Sequence, residues 1–374
     1  MEFFGASKAK RSHMEDAMEH SDCVAVIADG HCRDGPHGAA ISQFAVTSLI
    51  RILNGLNLTT FAPDLFEEFM AITFRTIHDE YFEIIKDSGA EVHNGIGITG
   101  GTTLTTAVFG SFQDRPYLMT ANVGDSDGFI FSKKDGVYRW KQITTTHEPT
   151  SESEYRRIQR KRELAPSFIY ETNGAMSIAG SLPIFDADAN LIHYEDTHGL
   201  VQNALQKYGR LRKAFADAKL ADLPTAAALK MEALVAHKDL LAAQSRHQYS
   251  NDARRFVSTV RGDRSCYIAW QTKDYRNDFR LSVTRAIGDY SASLVGVIPE
   301  PSVLLTWLDE EDLGDQAVFF MATDGILDCY EMEQLAQIVL ESNRDTLIDQ
   351  FHEKAQTVFA AEYDDMTFIM KQLK

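Results

Sequence analysis

Residues 24–31 read VAVIADGH, an apolar run that ends on Asp29, Gly30 and His31. Five small or β-branched apolar residues in a row predict a buried strand. A carboxylate at the end of such a strand is costly to hold near a core unless a metal ion or another partner compensates its charge. Gly30 allows a tight turn and lets its carbonyl approach a ligand closely. Because Asp-Gly is also an ordinary turn signal, the rest of the chain has to decide what this stretch does.

The composition is that of a globular protein with a sizeable core, since 44% of the 374 residues are apolar and 24% are charged. The length suits one large domain or two average ones. The net charge of -17 argues against a general affinity for nucleic acid or anionic lipid. The excess of carboxylates is compatible with binding divalent cations, although a solvated acidic surface accounts for most of them.

The chain has no apolar run of roughly 18 residues or more, so we expect no membrane span. Residues 1–11 lack the apolar centre of a secretory signal. The cysteines are widely spaced and form no zinc motif, which favours reduced thiols (Cys23, Cys32, Cys266 and Cys329). We therefore expect an intracellular, cytoplasmic protein, with the nucleus left open.

Strand and helix patterns are segregated along the chain rather than strictly alternating, which favours an α+β fold with antiparallel sheets. Beyond residue 31, strands are predicted at 102–109, Tyr117–Val123, Gly128–Ser132, 303–307, 317–322 and 366–371. Helices are predicted at Ala39–Leu53, Pro63–Lys86, 331–342 and 345–361.

Residues from about 160 to 278 differ in character from the rest. They read as a loop-like stretch at 166–198, followed by a helical stretch at 200–244 that is rich in Ala, Leu, Lys and Arg. We interpret them as an insertion or subdomain within one domain that spans 1–374. A basic helix can dock an acidic protein partner, although a solvated helical face explains the same pattern.

Acidic residues recur at predicted strand ends and in the adjoining turns. The four places are Glu15 with Asp16, Asp29, Asp324 with Asp328, and Asp364 with Asp365. If the fold gathers them, their mutual repulsion requires cations, and all-oxygen ligation favours Mg²⁺ or Mn²⁺. Two such ions can bridge a water, lower its pKa and clamp a phosphoryl group, and His31 could then protonate the leaving oxygen.

A series of short motifs runs along the chain in one order. It comprises Arg11-x-x-Met14-Glu15-Asp16, Asp29-Gly30-His31, Gly101-Thr102-Thr103, Asn122-Val123-Gly124-Asp125-Ser126, His147-Glu148-Pro149, Glu154-x-x-Arg157-Ile158, Leu281-Ser-Val-Thr-Arg285-Ala-Ile-Gly288-Asp289, Gly296-Val-Ile-Pro-Glu300-Pro301, Ala322-Thr-Asp324-Gly325-Ile-Leu-Asp328 and Asp364-Asp365-Met366-Thr367. In wording and order, the series resembles the metal-dependent Ser/Thr protein phosphatases of the 2C type, the PPM family. It spans almost the whole chain and is interrupted by the insertion.

The resemblance implies a four-layer α/β/β/α sandwich, in which helices flank two antiparallel sheets and a binuclear metal centre lies at one end. It implies Mn²⁺ or Mg²⁺ as cofactor, with two ions and a weaker third. The substrate would be a phosphoserine or phosphothreonine protein, hydrolysed by a water that bridges the two ions.

Carried over position by position, the family's roles fall on residues of this chain. Asp29 would bridge both ions, Asp324 and Asp364 would hold the first, and Glu15 and the Gly30 carbonyl would hold the second. Asp16 would order a bound water, and Asp125 and Asp328, with Asp324, match the third site. His31 would be the general acid, and Arg11 would bind the substrate phosphate. Asp289 falls in an Arg-Ala-x-Gly-Asp motif whose role the resemblance does not fix.

The chain departs from the family pattern at several positions. Residues 32–35 replace the usual Gly-Gly after His31, and Asp127 stands where the family has arginine. Asp365 stands where asparagine is common, which leaves a choice between Asp364 and Asp365. The connection from residue 158 to residue 281 is much longer than usual, and substrate choice is expected to depend on this region.

Two other functions compete with an active protein phosphatase. One is a non-catalytic docking module on the same fold, for which loss of metal-binding acids would be the signature. The other is a metal-dependent hydrolase of a small phosphoester, which would share the metal centre. A tyrosine phosphatase is a poor rival, because no cysteine is followed by an arginine six residues later.

Overall fold

The apolar run at residues 24–31 forms a buried strand, as predicted, and the strand continues through Asp29 to His31. The computed structural model describes residues 2–10, 14–32, 37–56, 62–87, 92–93, 96–97, 100–148, 151, 153–154, 157–158, 169–171, 181–185, 191–196, 203, 205–211, 213–214, 228–236, 239, 267–271, 278–359 and 363–374. Contacts between Cα atoms divide the chain into two compact units, residues 1–148, 259–261 and 283–374, and residues 149–258 and 262–282.

The strands of the first unit are β1 (Phe3–Lys8), β2 (Asp16–His20), β3 (Val24–His31), β4 (Val92–His93), β5 (Ile96–Gly97), β6 (Gly101–Thr102), β7 (Leu104–Phe112), β8 (Arg115–Val123), β9 (Asp127–Lys134), β10 (Val137–Gln142), β16 (Ile287–Gly288), β17 (Ser302–Trp307), β18 (Gln316–Ala322) and β19 (Met366–Gln372). Its helices are α1 (His37–Asn54), α2 (Phe66–Asp87), α3 (Asp324–Leu327), α4 (Met332–Glu341) and α5 (Leu347–Phe359). Turns of 3₁₀ helix occur at Pro63–Leu65, Tyr290–Val295 and Arg344–Thr346.

Two antiparallel sheets form the centre of this unit, which confirms the predicted sheet type. One has five strands in the order β1-β19-β18-β9-β10. The other has seven, in the order β16-β6-β3-β7-β8-β17, with β2 paired to β3. Helices flank the two sheets, as the resemblance implies.

Three apolar cores separate the layers. Side chains of α1 and α2 pack on one face of the seven-stranded sheet, and side chains of α4 and α5 pack on one face of the five-stranded sheet. The third core lies between the sheets and includes Ala25, Ile27, Phe319 and Met321. Strands β3 and β18 are thus buried on both faces, which explains why each reads as an uninterrupted apolar run.

The strands and helices predicted for this unit are present in the structure, but strands β1, β2, β4, β5, β10 and β16 were not predicted. The helix expected from residue 63 begins as a 3₁₀ turn and becomes α2 at Phe66. Strand β10 was not predicted, although it pairs with β9 along its whole length. Its side chains are mostly exposed because it lies at a sheet edge, although Tyr138 and Trp140 alternate with Arg139 and Lys141 in its sequence.

The second unit contains strands inside the stretch that was predicted to be loop-like, so that prediction is wrong there. They are β11 (Ile169–Glu171), β12 (Ser181–Phe185) and β13 (Leu191–Asp196). Pro183 in the middle of β12 argues against a strand when the sequence is considered alone. Strand β11 forms a sheet with β14 (Tyr267–Gln271) and β15 (Asp278–Leu281), and β12 pairs with β13. Helical backbone occurs at 205–211 and 228–236, within the predicted helical stretch.

Among the described residues, no helix is both long and apolar enough to cross a membrane. Cys23, Cys32 and Cys329 are thiols that form no disulfide in the part of the chain that the structure describes, and Cys266 lies outside that part.

Candidate metal centre

The predicted acids come together at one end of the two sheets. Asp29 lies near the end of β3, the central strand of one sheet, and Asp324 follows β18, the central strand of the other. Asp16 is the cross-strand partner of Asp29. Asp364 and Asp125 complete the set of carboxylates close enough to raise the pKa of Asp29. Five distant stretches of sequence therefore contribute to one acidic cluster.

The acids of this cluster oppose one another's ionisation. Burial raises the pKa of Asp29 well above its ordinary value, and the four neighbouring carboxylates raise it further. Burial also raises the pKa of Asp16 to about 8, with Asp365 and Asp324 adding to the shift against the nearby hydroxyls of Thr367 and Thr323. A bound cation would reverse this balance, because it stabilises the ionised carboxylates.

Threonines of the Gly101-Thr102-Thr103 motif fix the backbone of Asp29. The Asp29 N–H donates to Thr103 Oγ1 at 2.9 Å, and the Asp29 carbonyl accepts from Thr102 Oγ1 and from the Thr103 N–H, both at 2.9 Å. Thr103 Oγ1 also bonds to Ser126 Oγ at 2.7 Å, next to Asp125. The motif thus places Asp29 against the Asp125 turn.

Gly30 lies inside β3, so the sequence-based interpretation of a tight turn at this position is wrong. Its N–H donates to the Glu15 carbonyl at 3.1 Å. A Cβ at Gly30 would overlap the Gly38 carbonyl and would lie 2.6 Å from the Glu15 carbonyl oxygen. A Cβ at Gly38 would lie 2.7 Å from Glu15 Oε1. Both glycines are therefore needed for close packing around Glu15.

Asp364 and Asp365, between which the sequence leaves a choice, differ in their contacts. Asp365 is buried, and its two carboxylate oxygens accept from the N–H groups of Lys10 and Glu15, each at 2.8 Å. Asp364 is the one whose charge acts on Asp29. Asp365 therefore fixes the backbone next to Glu15 while its charge also acts on Asp16, and Asp364 is the one of the two whose charge acts on Asp29.

Asp125 and Asp328 adjoin Asp324 within the cluster. Burial raises the pKa of Asp125, and the charges of Asp324, Glu148, Asp328 and Asp127 add to this effect in that order. Asp328 is buried at the end of the short helix α3, and its N–H donates to the Asp324 carbonyl at 2.8 Å. The three acids predicted for a third ion are thus neighbours.

Asp127, which stands where the family has arginine, is buried and hydrogen-bonded. Its Oδ1 accepts from Thr144 Oγ1 at 2.6 Å and its Oδ2 accepts from Thr146 Oγ1 at 2.5 Å. Burial raises its pKa to about 6, against the effect of these hydroxyls. The carboxylate of Asp127 is therefore stabilised by hydroxyl groups of the loop that follows β10.

His31 lies beside the cluster and contacts Asp289, which directly follows β16. His31 Nε2 and Asp289 Oδ2 are 2.6 Å apart. Burial lowers the pKa of His31, but Asp289, Glu15 and Asp324 outweigh this effect, so the pKa lies above 6.5. The shift increases the protonated fraction of the imidazole, which is the form that a general acid needs.

The predicted phosphate ligand, Arg11, lies outside the described residues. Within the described part of the chain, no three Asp, Glu, His or Cys side chains are already close enough together to enclose an ion. The donor set nevertheless fits a hard divalent cation, because it consists of carboxylates that repel one another. One of its oxygens, Asp16 Oδ1, is buried and accepts no hydrogen bond from the described residues.

Some contributors to the site were not predicted. The Asp289 contact joins residues 258 positions apart, so nothing local signals it. Thr323 Oγ1 donates to Asp16 Oδ2 at 3.0 Å, and it too follows an apolar strand as an ordinary polar residue. For Gly38 and Asp365 the only signal was their place within or near a motif.

The model of one family, described as Protein phosphatase 2C, matches residues 34–177 and 260–361 of this chain. The gap between the two matched segments, residues 178–259, lies within the predicted insertion, and residues 1–33 and 362–374 lie outside the match. A search of curated protein sequences finds no match.

Solved structures of phosphatases are similar in fold. A serine-threonine phosphatase 2C from Toxoplasma gondii has a TM-score of 0.57 at 13% identity, covering 100% of this chain and 94% of that one. The Mycobacterium tuberculosis serine/threonine phosphatase PstP/Ppp has a TM-score of 0.50 at 12% identity, covering 100% and 98%. A bacterial serine phosphatase has a TM-score of 0.50 at 14% identity, with the same coverage. At such low identities, these similarities establish the fold alone.

Proposed function

Because this chain belongs to the protein phosphatase 2C family, we propose that it is a metal-dependent hydrolase that removes phosphate from phosphoserine and phosphothreonine in proteins. One observation carries the proposal. Acids from five distant stretches of sequence meet around Asp29, with His31 beside them. A docking module that had lost its catalysis would have no need to maintain such a costly arrangement of like charges.

The carboxylates of the cluster are the proposed metal ligands. Asp29 would be shared by two Mn²⁺ or Mg²⁺ ions, with Asp324 and Asp364 holding one ion and Glu15 and the Gly30 carbonyl holding the other. Asp16 would contact a water of the centre, and Asp125 and Asp328 would contribute to a weaker third site. When bound, such ions supply a water of lowered pKa and stabilise the charge that develops on the phosphoryl oxygens.

His31 would act on the leaving group. As the bond between phosphorus and the serine or threonine oxygen breaks, the imidazolium donates its proton to that oxygen and is left neutral. The raised pKa of His31 supports this role, because a larger share of the side chain is protonated near neutral pH. Arg11 is proposed to bind the substrate phosphate, and this assignment rests on the motif resemblance.

The proposal is tested by hydrolysis of a phosphothreonine peptide with Mn²⁺, with Mg²⁺ and with EDTA. We expect activity that requires a divalent metal and that falls about 100-fold or more in Asp29→Asn and Asp324→Asn, because a metal contributes several kcal/mol to transition-state stabilisation. Asp345→Asn is the matched control, since this exposed acid makes the same chemical change far from the cluster.

The outcomes separate the competing functions. Absence of turnover on phosphopeptides and on small phosphoesters, in folded protein that binds Mn²⁺, would overturn the enzyme assignment and favour a docking module. Turnover on small phosphoesters alone would replace the proposed protein substrate with a small molecule. Docking of the substrate protein through residues 160–278 stays a prediction.

A further inference from the structure

Three strand ends meet beside His31. His31, the last residue of β3, is paired with Gly101 in β6, and Gly101 is paired in turn with Gly288 in β16. Asp289 directly follows Gly288, so the sheet brings the carboxylate of Asp289 to the imidazole of His31.

The contact is short, and the Asp289 carboxylate is largely shielded from water. His31 Nε2 and Asp289 Oδ2 are 2.6 Å apart, and the side chain of Asp289 is 10% exposed. A carboxylate oxygen can only accept, so His31 Nε2 carries the hydrogen of this bond. Nδ1 is then the ring nitrogen left for a substrate.

The backbone at Asp289 is held in an unfavourable conformation. Asp289 has a φ of 45° and Gly288 has a φ of 86°, so both lie in the left-handed region. For a residue with a Cβ, this conformation is disfavoured and persists only where the surroundings enforce it. A strained residue next to a catalytic candidate points to a functional constraint.

Helix α2 enforces this conformation through His78. The Gly288 N–H donates to His78 Nδ1 at 3.1 Å, and the Tyr290 hydroxyl donates to the His78 carbonyl at 2.7 Å. The rings of His78 and Tyr290 also pack at 4.6 Å between centroids. Asp289 is therefore held by contacts on both sides of it in sequence.

Gly101 provides the space in which the pair meets. A Cβ at this position would overlap Asp289 Oδ2 and would lie 2.9 Å from His31 Nε2. Any side chain at position 101 would have to push the two groups apart. The sequence thus reserves this space for the Asp289–His31 contact.

We propose that Asp289 is the positioning residue of His31. It holds the imidazole through Nε2 and leaves Nδ1 to deliver the proton to the leaving alcohol. His78 supports it by fixing the left-handed turn. This inference rests on the proposed function, because it concerns the proton donor of that reaction.

The test compares two leaving groups in Asp289→Asn. A serine or threonine alkoxide needs a proton as it leaves, whereas p-nitrophenolate leaves without one. On a phosphothreonine peptide we expect kcat to fall about 100-fold with KM little changed, as when general acid catalysis is lost. On p-nitrophenyl phosphate we expect a fall of less than about threefold, because the nucleophilic step is intact. Mn²⁺ affinity, measured by calorimetry, should be unchanged.

Two further variants guard against a merely structural effect. Gly101→Ala retains every charge but displaces the carboxylate, and it should show the same difference between the two substrates. The double variant His31→Ala/Asp289→Asn should be no slower than His31→Ala alone, because Asp289 acts through His31. Should Gly101→Ala fail to fold, the double variant still decides.

A spectroscopic measurement is independent of turnover. In ¹⁵N-labelled protein, His31 should show a hydrogen on Nε2 that is protected from exchange, and this signal should be lost in Asp289→Asn. Equal losses on both substrates, a double variant slower than His31→Ala, or an unchanged His31 signal would each overturn the proposal. An inactive wild type with the expected His31 signal would overturn the proposed function and leave the positioning contact established.

Discussion

At the scale of single residues, neighbouring acids do different work. Asp365 uses both carboxylate oxygens to bind the backbone of the Lys10–Glu15 segment, whereas Asp364 directs its charge at Asp29. The sequence presents the two as an adjacent pair and gives no means of separating them. What separates them is which backbone groups lie within reach after folding.

This division predicts opposite phenotypes for two adjacent substitutions. Asp365→Ala leaves the N–H groups of Lys10 and Glu15 without their acceptor and should lower the free energy of unfolding by about 2–4 kcal/mol. Asp364→Ala removes one repelling charge from the cluster together with the bond that Asp364 Oδ1 accepts from the Asp365 N–H, so it should change that free energy much less in EDTA, while it weakens Mn²⁺ binding. Urea unfolding in EDTA and Mn²⁺ calorimetry measure the two effects, and interchanged phenotypes would refute the assignment.

The motifs allowed the acids of the cluster to be identified one by one, because their order along the chain carries family information. The Asp289–His31 contact could not be identified in this way. It depends on the pairing of β3, β6 and β16, which have only two paired residues at each junction. Such short pairings leave no periodic pattern in the sequence.

At the scale of elements, the two Asp-Gly strands explain why the site forms where it does. Strands β3 and β18 are central in their sheets and pack back to back through Ala25, Ile27, Phe319 and Met321. Asp29 lies near the end of β3 and Asp324 follows the end of β18, so the two acids are brought together by core packing. Their apolar composition was predictable from the sequence, and the pairing of the two sheets was implied only by the family resemblance.

Helix α2 links fold stability to pH through His78. Burial, followed by the positive charge of Arg75, lowers the pKa of His78 to about 4 from an ordinary value of 6.5. Between these values the unfolded chain binds more protons, so stability is complete above pH 6.5 and is lost as the pH falls towards 4. The loss amounts to about 3 kcal/mol.

His78→Asn isolates this effect, because asparagine offers an acceptor to the Gly288 N–H but does not titrate. As the pH falls from 7 to 4, we expect the free energy of unfolding of the wild type to decrease more than that of His78→Asn. Chemical denaturation at a series of pH values measures it. Parallel pH profiles for the two proteins would show that His78 is not buried in its neutral form.

At the scale of the whole molecule, hydrogen bonds join the two places where the chain leaves the first unit and returns to it. The His147 carbonyl accepts from the Thr284 N–H at 2.8 Å and from Thr284 Oγ1 at 3.0 Å. The three apolar cores of the first unit are built almost entirely from residues on either side of this junction. The presence of a distinct region was predictable from its composition, whereas its strands were not predicted, although β15 alternates between polar and apolar residues.

A variant in which a short Gly-Ser linker replaces residues 149–282 should therefore fold. We expect a cooperative thermal transition and a further stabilisation by Mn²⁺, because the acids of the cluster all lie in the first unit. Calorimetric melting with and without Mn²⁺ tests this. A broad transition without cooperativity would show that the second unit is part of the folding core.

The central claim is that the acids around Asp29 form a divalent metal centre. The most direct measurement is anomalous diffraction at the manganese edge from crystals grown with Mn²⁺. We predict two anomalous peaks that share the Asp29 carboxylate, one also contacting Asp324 and Asp364 and the other contacting Glu15. An ordered acidic cluster with no anomalous peak beside Asp29 would contradict the claim and, with it, the proposed chemistry.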